Sequence, residues 1–249
     1  NNPRLLFAKN EIMPAIGKFK VRIVCDAVAV QAICRENNLT PPKYAGTQRF
    51  AIRRKSQQIW VLADNTIGGM YGGLDVAEAL RMNHPEWLEN KDQQPYLEER
   101  GIKFNIPLDV RTPSYTDPSD ASQANIPEVW KEEFWKEYFD EMARNRMNTM
   151  TLWSLNTFPS LVYVPEFPDA GLNDVWRTKA KYDDSFSFTG IDFDKPYLVE
   201  NVEIVKKITI HEKMDFWRKV MQLADDRGIS MYIFHWNMFT YGAAGKHGI

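Results

Sequence analysis

The sequence lacks most of the features that would take it out of the ordinary globular class. Its 249 residues include only two cysteines, Cys25 and Cys34, too few for a disulfide scaffold, and two buried thiols are favoured over a bridge. The 31 basic and 33 acidic side chains leave a formal charge of -2, which supplies no positive surface for nucleic acid or an anionic membrane. No hydrophobic run approaches the ~20 residues that a membrane-spanning helix needs.

What the sequence does contain is enough apolar side chain for a large core, at 44% hydrophobic residues. By length alone, one large domain and two smaller ones are both open. Residues 19–25 alternate into β-branched side chains and predict a strand, and residues 28–37 have the apolar spacing of a short helix. Two strand-like runs, 49–54 and 59–63, are separated by a polar turn and predict a hairpin.

Four glycines follow the hairpin, in the run Gly68-Gly69-Met70-Tyr71-Gly72-Gly73. We expect this run to form a tight turn that opens a helix from Leu74 to about Met82. A phosphate-binding loop is less favoured, because no Lys-Ser/Thr follows the glycines and their spacing does not match the dinucleotide fingerprint. Together with the polar linker that follows, these elements predict a small α+β domain over residues 1–95.

The rest of the chain alternates between strand-like and helix-like segments. Three apolar runs predict strands, at residues 99–111, 148–155 and 229–234. Helices are expected from Pro127 to about Asn145 and over residues 211–227, each with a broad apolar face. This alternation is typical of parallel β/α units. The predicted fold class is therefore α/β, with the first part of a (β/α)8 TIM barrel over residues 96–249.

The predicted barrel is incomplete in this chain. A closed barrel needs eight strand–helix units in roughly 250 residues, and the sequence offers three strands after Arg100. We therefore expect the chain to be an N-terminal fragment of a larger enzyme. Residues 156–209 form a connection of more than 50 residues, a length that is typical of a functional insertion.

Polar side chains follow the first predicted strand, at Asp109 and Arg111. In barrels of this kind the residues just past the C-terminal ends of the strands surround the ligand. Arg111 suits a bidentate grip on hydroxyl or carboxylate groups, and an anchor for the loop is an equally weighted alternative. For Asp109, pairing with Arg111 to fix the loop is favoured over direct ligand binding.

The third predicted strand is followed by His235-Trp236-Asn237, the strongest cluster of ligand-binding side chains. A pocket with an aromatic wall and a few polar contacts requires these residue types. Asn156, at the exit of the second strand, is a further candidate, while Trp153 inside that strand is either a core residue or a stacking platform. His235 is not expected to bind a metal, because no second ligand lies at suitable spacing. The sequence predicts neither a metal nor an organic cofactor.

Two short motifs connect the two predicted domains to a known group of proteins. A helix opened by Met70-Tyr71-Gly72-Gly73-Leu74 precedes a barrel opened by Arg100-Gly101-Ile102-Lys103-Phe104. This order resembles the family 20 hexosaminidases and the α-glucuronidases, and more closely the uncharacterised glycoside-hydrolase-like proteins of gut Bacteroidetes. The resemblance covers nearly the whole chain. It departs at Asn105, because hexosaminidases have an aspartate and then a substrate-gripping arginine at closer spacing than Arg111.

The resemblance implies a glycoside hydrolase that cleaves O-glycosidic bonds of oligo- or polysaccharides, with acidic or amino sugars favoured. With a sugar as ligand, the candidate binding residues at the ends of the predicted strands are Asp109, Arg111, Asn156, His235, Trp236 and Asn237. In these families the catalytic acid follows the fourth strand, so the carboxylates are expected beyond residue 249 and the fragment is expected to be inactive. A non-catalytic carbohydrate-binding protein on the same scaffold is the alternative.

The resemblance also implies a location in the periplasm, at the cell surface or outside the cell. Residues 1–4 do not form a signal peptide, and a cleaved one would leave no trace. A carbohydrate is the only partner that the sequence predicts. It does not predict an oligomeric state.

Overall fold

A computed structural model describes residues 2–112, 120–154, 157–180 and 200–235 and shows an α/β fold. The chain divides into two compact units. The first unit comprises Asn1–Arg100, Phe139–Asn148 and Asp225–Ile229; the second comprises Gly101–Tyr138, Thr149–Ala224 and Ser230–Ile249. The expected domains, 1–95 and 96–249, stay a prediction. No helix in the described ranges is long and apolar enough to cross a membrane.

The first unit is built on a four-stranded mixed sheet with helices on both faces. Its elements before Arg100 are α1 (Pro3–Ile12), β1 (Lys20–Cys25), α2 (Ala27–Glu36), β2 (Phe50–Lys55), β3 (Gln58–Ala63), α3 (Thr66–Arg81) and β4 (Lys91–Gln93). The strand order is β1-β3-β2-β4, with β1 parallel to β3 and the other pairs antiparallel. The expected hairpin is confirmed, since Lys55 of β2 pairs with Gln58 of β3. Helices α1 and α3 contribute to the core on one side of the sheet, and α2 contributes to the other.

Helix α1 is not among the elements that the sequence analysis identified. It begins after Asn2, whose side chain accepts hydrogen bonds from the backbone amides of Arg4 and Leu5 at 3.0 and 3.3 Å. Pro3 occupies the first helical position, where the missing amide hydrogen costs nothing. An Asn-Pro pair before an apolar stretch is a recognisable helix start. This local signal is sufficient to predict α1.

The glycine-rich run lies inside α3, which corrects the expected turn before Leu74. The helix starts at Thr66, capped by the Asn65 side chain, and its glycines face neighbouring structure. A Cβ at Gly68 would lie 2.3 Å from the Arg49 carbonyl oxygen, and one at Gly69 would lie 2.1 Å from Cys25 Sγ. Packing therefore overrides the low helix propensity of glycine, because only a residue without a Cβ lets the helix approach so closely.

Both cysteines are free thiols, as favoured by the sequence analysis. Cys34 is buried with the side chains that α2 packs on the sheet. Cys25 lies under α3, and burial raises the pKa of its thiol to about 11. A protonated thiol at neutral pH is a weak nucleophile, so these residues serve packing.

The second unit contains a three-stranded parallel sheet and a separate hairpin. Its elements are β5 (Gly101–Asn105), α4 (Asp120–Val129), α5 (Glu132–Arg144), β6 (Thr149–Ser154), α6 (Phe158–Leu161), β7 (Val175–Thr178), β8 (Val202–Lys206), α7 (Ile210–Asp225) and β9 (Ser230–His235). The last residues of α5 and the last residue of α7 belong to the first unit. The parallel sheet has the order β5-β6-β9, and β7 pairs with β8 antiparallel. All three strands expected after Arg100 are present, although β5 ends at Asn105 and residues 106–110 continue as buried irregular chain.

The helix expected from Pro127 to Asn145 is two helices, α4 and α5. Pro127 lies inside α4 and does not start a helix. The break falls at Trp130 and Lys131, where Trp130 is buried and its Nε1 donates to the Leu108 carbonyl oxygen at 2.8 Å. Glu132 and Glu133 then begin α5, where acidic side chains suit the positive end of the helix dipole. The anchored indole explains a boundary that periodicity alone missed.

The two faces of the parallel sheet have different surroundings. Phe104 of β5 packs on Phe134, Trp135 and Tyr138 of α5, with ring centroids 5.8 to 6.3 Å apart. Because side chains alternate along a strand, Lys103 and its register neighbours lie on the opposite face. On that face Lys103, Tyr232 at 46% exposure and Phe234 at 53% are exposed, whereas Trp153 is buried. We refer to it as the open sheet face.

Candidate functional site

The three parallel strands end side by side. In register, Asn105 at the end of β5 lies beside Trp153, and Ser154 at the end of β6 lies beside His235 at the end of β9. Because the strands are parallel, the segments that follow them all leave the sheet at the carboxyl ends of the strands. In barrel enzymes the loops at this end form the ligand site.

The structure describes two of the six predicted sugar-binding residues in full. Asp109 and Arg111 follow β5 and contact each other directly. His235 is the last residue of β9, and its side chain lies outside the described part of the structure. Asn156, Trp236 and Asn237 also lie outside the described residues. Sugar binding by all six stays a prediction.

Asp109 is a buried carboxylate with a full set of donors. Its Oδ1 accepts from the Arg111 backbone amide at 2.9 Å and from Arg111 Nε at 2.7 Å. Its Oδ2 accepts from Arg111 Nη2 at 2.7 Å and from the Trp176 amide at 3.1 Å. The side chain has no exposed surface. A carboxylate that is enclosed in this way fixes the conformation of the loop, because leaving its charge unpaired would be costly.

Arg111 extends the same network to the chain before β7. Its Nη2 also donates to the carbonyl oxygens of Asn173 and Asp174, at 2.9 and 3.0 Å. The guanidinium carbon lies 4.2 Å from the centroid of the Trp176 ring, a cation–π contact. The side chain keeps 19% exposure, and no described residue accepts from Nη1. These contacts are those of a loop anchor.

Trp176 is a residue of this site that the sequence pattern did not predict. Its backbone amide binds Asp109, and its carbonyl oxygen accepts from the Val110 amide at 3.0 Å. Trp176 and Asp109 are 67 residues apart in the sequence. The one available signal was the Trp176-Arg177 pair inside the long connection. We call Asp109, Arg111 and Trp176 the clamp.

Lys213, in the first turns of α7, is a buried charge next to the clamp. It has no exposed surface, and no described acceptor binds its Nζ, which lies 5.2 Å from the centroid of the Trp130 ring. The pKa of Lys213 is lowered to about 8, chiefly by burial; the carboxylate of Asp109 raises it, the positive charge of Arg111 lowers it, and Asp174 raises it. The amine is therefore mostly charged at pH 7, in surroundings that disfavour the charge.

Comparison with solved structures identifies the fold. A GH138 enzyme targeting pectin rhamnogalacturonan II matches 95% of this chain with a TM-score of 0.58 and 19% identity, over 24% of its own chain. A GH20 exo-β-N-acetylglucosaminidase from Vibrio harveyi matches 87% of this chain and 32% of its own, with a TM-score of 0.42 and 12% identity. A β-N-acetylhexosaminidase from Bacteroides fragilis has a TM-score of 0.39 and 12% identity, over 87% of this chain and 39% of its own.

The first of these matches shows that the chain has a glycoside-hydrolase-like fold. At 19% identity the likeness concerns the fold alone, and the chain spans about a quarter of the length of that enzyme. No protein-family model matches the chain. No curated protein matches it either.

Proposed function

We propose that the chain is the N-terminal part of a glycoside hydrolase that cleaves O-glycosidic bonds of oligo- or polysaccharides. In this proposal residues 1–95 are a small α+β domain and residues 96–249 are the first part of a (β/α)8 barrel. The likeness to the GH138 structure over 95% of the chain supports it. The catalytic carboxylates are proposed to lie outside these residues, and Asp109, whose oxygens are bound by Arg111 and Trp176, is not proposed as one of them.

The observation that best supports the proposal is the exposure of aromatic side chains on the open sheet face. Tyr232 and Phe234 are half exposed there, and Lys103 Nζ lies 4.1 Å from the centroid of the Trp153 ring. Large aromatic side chains on a sheet face normally require a cover. In a closed barrel this face is the interior, filled by side chains from the other strands. Within the described residues, β5 and β9 are the two edges at which further strands would join.

The proposed ligand is an acidic or amino sugar, bound at the edge where the three strands end. Arg111 Nη1 supplies a charge-assisted donor, and the other proposed contacts are Asn156, His235, Trp236 and Asn237. Pectin oligosaccharides are the first substrates to test, because the GH138 structure is that of an enzyme targeting a pectin. We place the protein in the periplasm, at the cell surface or outside the cell, and propose that it uses no cofactor.

The experiment is a hydrolysis assay on the whole natural protein that contains this chain. Purified protein is incubated with rhamnogalacturonan II and with chitin oligosaccharides, and newly formed reducing ends are counted. We expect release from at least one substrate and a loss of at least tenfold in kcat/KM in Asn237→Ala. The control is Tyr96→Ala, which alters a fully exposed aromatic side chain of the first unit and is expected to leave the rate unchanged.

The alternative outcome has a clear signature. Calorimetric binding of a sugar with no release of reducing ends over days assigns the protein to the non-catalytic carbohydrate-binding class. If acidic, amino and neutral oligosaccharides all fail to bind and none is cleaved, the protein is neither a glycoside hydrolase nor a carbohydrate-binding protein of this kind.

A further inference from the structure

The first unit carries an aromatic pair that packing in the described structure does not explain. His84 precedes a 3-10 helix, Pro85–Leu88, and Trp87 lies inside it. The two rings stack almost in parallel, with centroids 4.4 Å apart and an interplanar angle of 10°. The Trp87 amide donates to the His84 carbonyl oxygen at 3.1 Å, which holds the two residues of the pair in one turn. We call the stacked pair the aromatic platform.

The segment that holds the platform is fixed before any ligand arrives. Leu88 is 1% exposed and anchors one end of the 3-10 helix in the core of the first unit. Arg54 of β2 donates from Nη1 to the Pro85 carbonyl oxygen at 2.8 Å and to Glu89 Oε1 at 3.3 Å. The His84 amide binds the Ala79 carbonyl oxygen at 2.8 Å. A ligand would therefore meet an ordered surface, which reduces the entropic cost of binding.

The platform itself is exposed. Trp87 is 51% exposed, although tryptophan is among the residues that folding usually buries to a large extent. The His84 side chain is 47% exposed. His84 covers one face of the indole, and the exposed fraction of Trp87 is available to an external group. Exposed tryptophan on a rigid segment is a common centre of binding energy in recognition surfaces.

Carboxylates flank the platform. Glu86 Oε1 lies 2.6 Å from His84 Nδ1, and Glu89 is held by Arg54. Hydrogen bonds from its own backbone amide and from His84 hold the pKa of Glu86 below its ordinary value, so the group is ionised at neutral pH. Ionised carboxylates accept hydrogen bonds and repel anions. Their oxygens favour a ligand that has hydroxyl or amide donors, and the charge of Glu86 disfavours an anion, whereas the charge of Glu89 is offset by Arg54.

We propose that the aromatic platform is a carbohydrate-binding site on the first unit, for a pyranose ring without a carboxylate. The apolar C–H face of the ring stacks on Trp87, and its hydroxyl or amide groups donate to Glu86 and Glu89. The choice of a sugar as ligand rests on the proposed function, whereas the stack, its rigidity and its charge do not. The site would hold a glycan at a second point, which raises the effective concentration of the glycan at the enzyme.

The test is calorimetric titration of the whole protein with the uncharged pentasaccharide of chitin. Trp87→Ala is expected to weaken the affinity of the platform for this pentasaccharide at least tenfold. The matched control, Tyr96→Ala, removes another exposed aromatic side chain of the same unit and is expected to leave the affinity unchanged. A galacturonic acid pentasaccharide is expected to bind the platform at least tenfold more weakly than the chitin probe. Melting temperatures of both variants are recorded to confirm that they fold.

Three results would overturn the inference. One is equal affinity of the native protein and Trp87→Ala for the chitin probe. Another is Trp87-dependent binding of the galacturonic acid probe with undiminished affinity, which would refute the charge selection. The third is self-association that Trp87→Ala abolishes, which would make the platform an interface between two copies. Trp87-dependent binding without hydrolysis refutes the proposed function alone, and hydrolysis without Trp87-dependent binding refutes this inference alone.

Discussion

At the scale of single residues, Lys213 is expected to reduce stability at neutral pH. Its pKa is about 8 in the folded protein and 10.5 for an ordinary lysine, so the unfolded chain binds more protons between these pH values. The free energy of unfolding therefore rises with pH across that interval. We expect Lys213→Met to be more stable than the native chain by about 2–3 kcal/mol at pH 7, with a smaller advantage at pH 10. Urea unfolding of both proteins at pH 7 and pH 10 measures this difference in the free energy of unfolding.

Lys219 provides the control on the same helix. Its side chain is 65% exposed and pairs with Glu132 at 3.0 Å, so Lys219→Met is expected to change stability by less than about 1 kcal/mol at either pH. An advantage of Lys213→Met that is the same at pH 7 and pH 10 would show that the ammonium is not the source of the cost.

Arg111 is expected to matter for stability as well as for ligand binding. Arg111→Ala leaves the Asp109 carboxylate buried with only backbone amides as donors. Breaking a buried pair in this way costs about 3 kcal/mol, because the remaining charge is unpaired. Chemical denaturation of the native chain and the variant gives the difference in free energy of unfolding.

The double variant Asp109→Asn/Arg111→Ala separates the two roles of Arg111. It removes the buried charge together with its partner, so it is expected to be more stable than Arg111→Ala alone. A single variant that keeps full stability and loses sugar affinity would make Arg111 a ligand-binding group and not a loop anchor.

At the level of secondary-structure elements, replacing a glycine of α3 by alanine is expected to destabilise the helix packing, which is the opposite of the usual effect. Gly→Ala in a helix usually stabilises by about 1 kcal/mol. At Gly69 the new Cβ would lie 2.1 Å from Cys25 Sγ and 3.2 Å from Ile23 Cγ2, both on β1. We therefore expect Gly69→Ala to destabilise the first unit by roughly 1–3 kcal/mol through overpacking. Thermal unfolding followed by circular dichroism measures the change.

Two further variants identify the cause of that loss. Cys25→Ala removes the sulfur atom, so Gly69→Ala/Cys25→Ala is expected to recover part of the stability. Glu78→Ala, at an exposed position of α3, reports the effect of alanine away from the sheet, apart from the loss of one partly exposed pair with Arg146. Destabilisation of equal size at positions 69 and 78 would contradict the close approach of α3 to the sheet.

At the scale of the whole molecule, residues 96–249 are not expected to fold stably by themselves. The first unit includes Phe139–Asn148, in which Arg144 pairs with Glu11 at 2.8 Å and Arg146 contacts Asp75. Removing residues 1–95 deletes both partners, and the open sheet face and the strand edges would still have no cover from described residues. Thermal unfolding of this segment and of the 249-residue chain is compared. A cooperative transition in a monodisperse monomer of residues 96–249 is the result that would refute this prediction.

Local sequence was sufficient for much of the secondary structure. Alternating β-branched residues identified β1, the β2–β3 hairpin, β6 and β9, because the periodicity of a strand is a property of a few consecutive residues. The apolar stripe of α7 was equally local. Two errors came where tertiary packing competes with propensity, at the glycines of α3 and at the Trp130 break between α4 and α5. The omission of α1 is different, because its start signal is local.

Short stretches of sequence are enough to predict the α/β class, the strands after Arg100 and the candidate pair Asp109 and Arg111, since each depends on neighbouring residues. The fold is needed to bring Trp176, 67 residues from Asp109, into the clamp. It alone also decided that Lys213 loses all contact with solvent. The physical reason is the same for both: burial and hydrogen-bond partners depend on which distant segments meet, and no pattern within one segment records that.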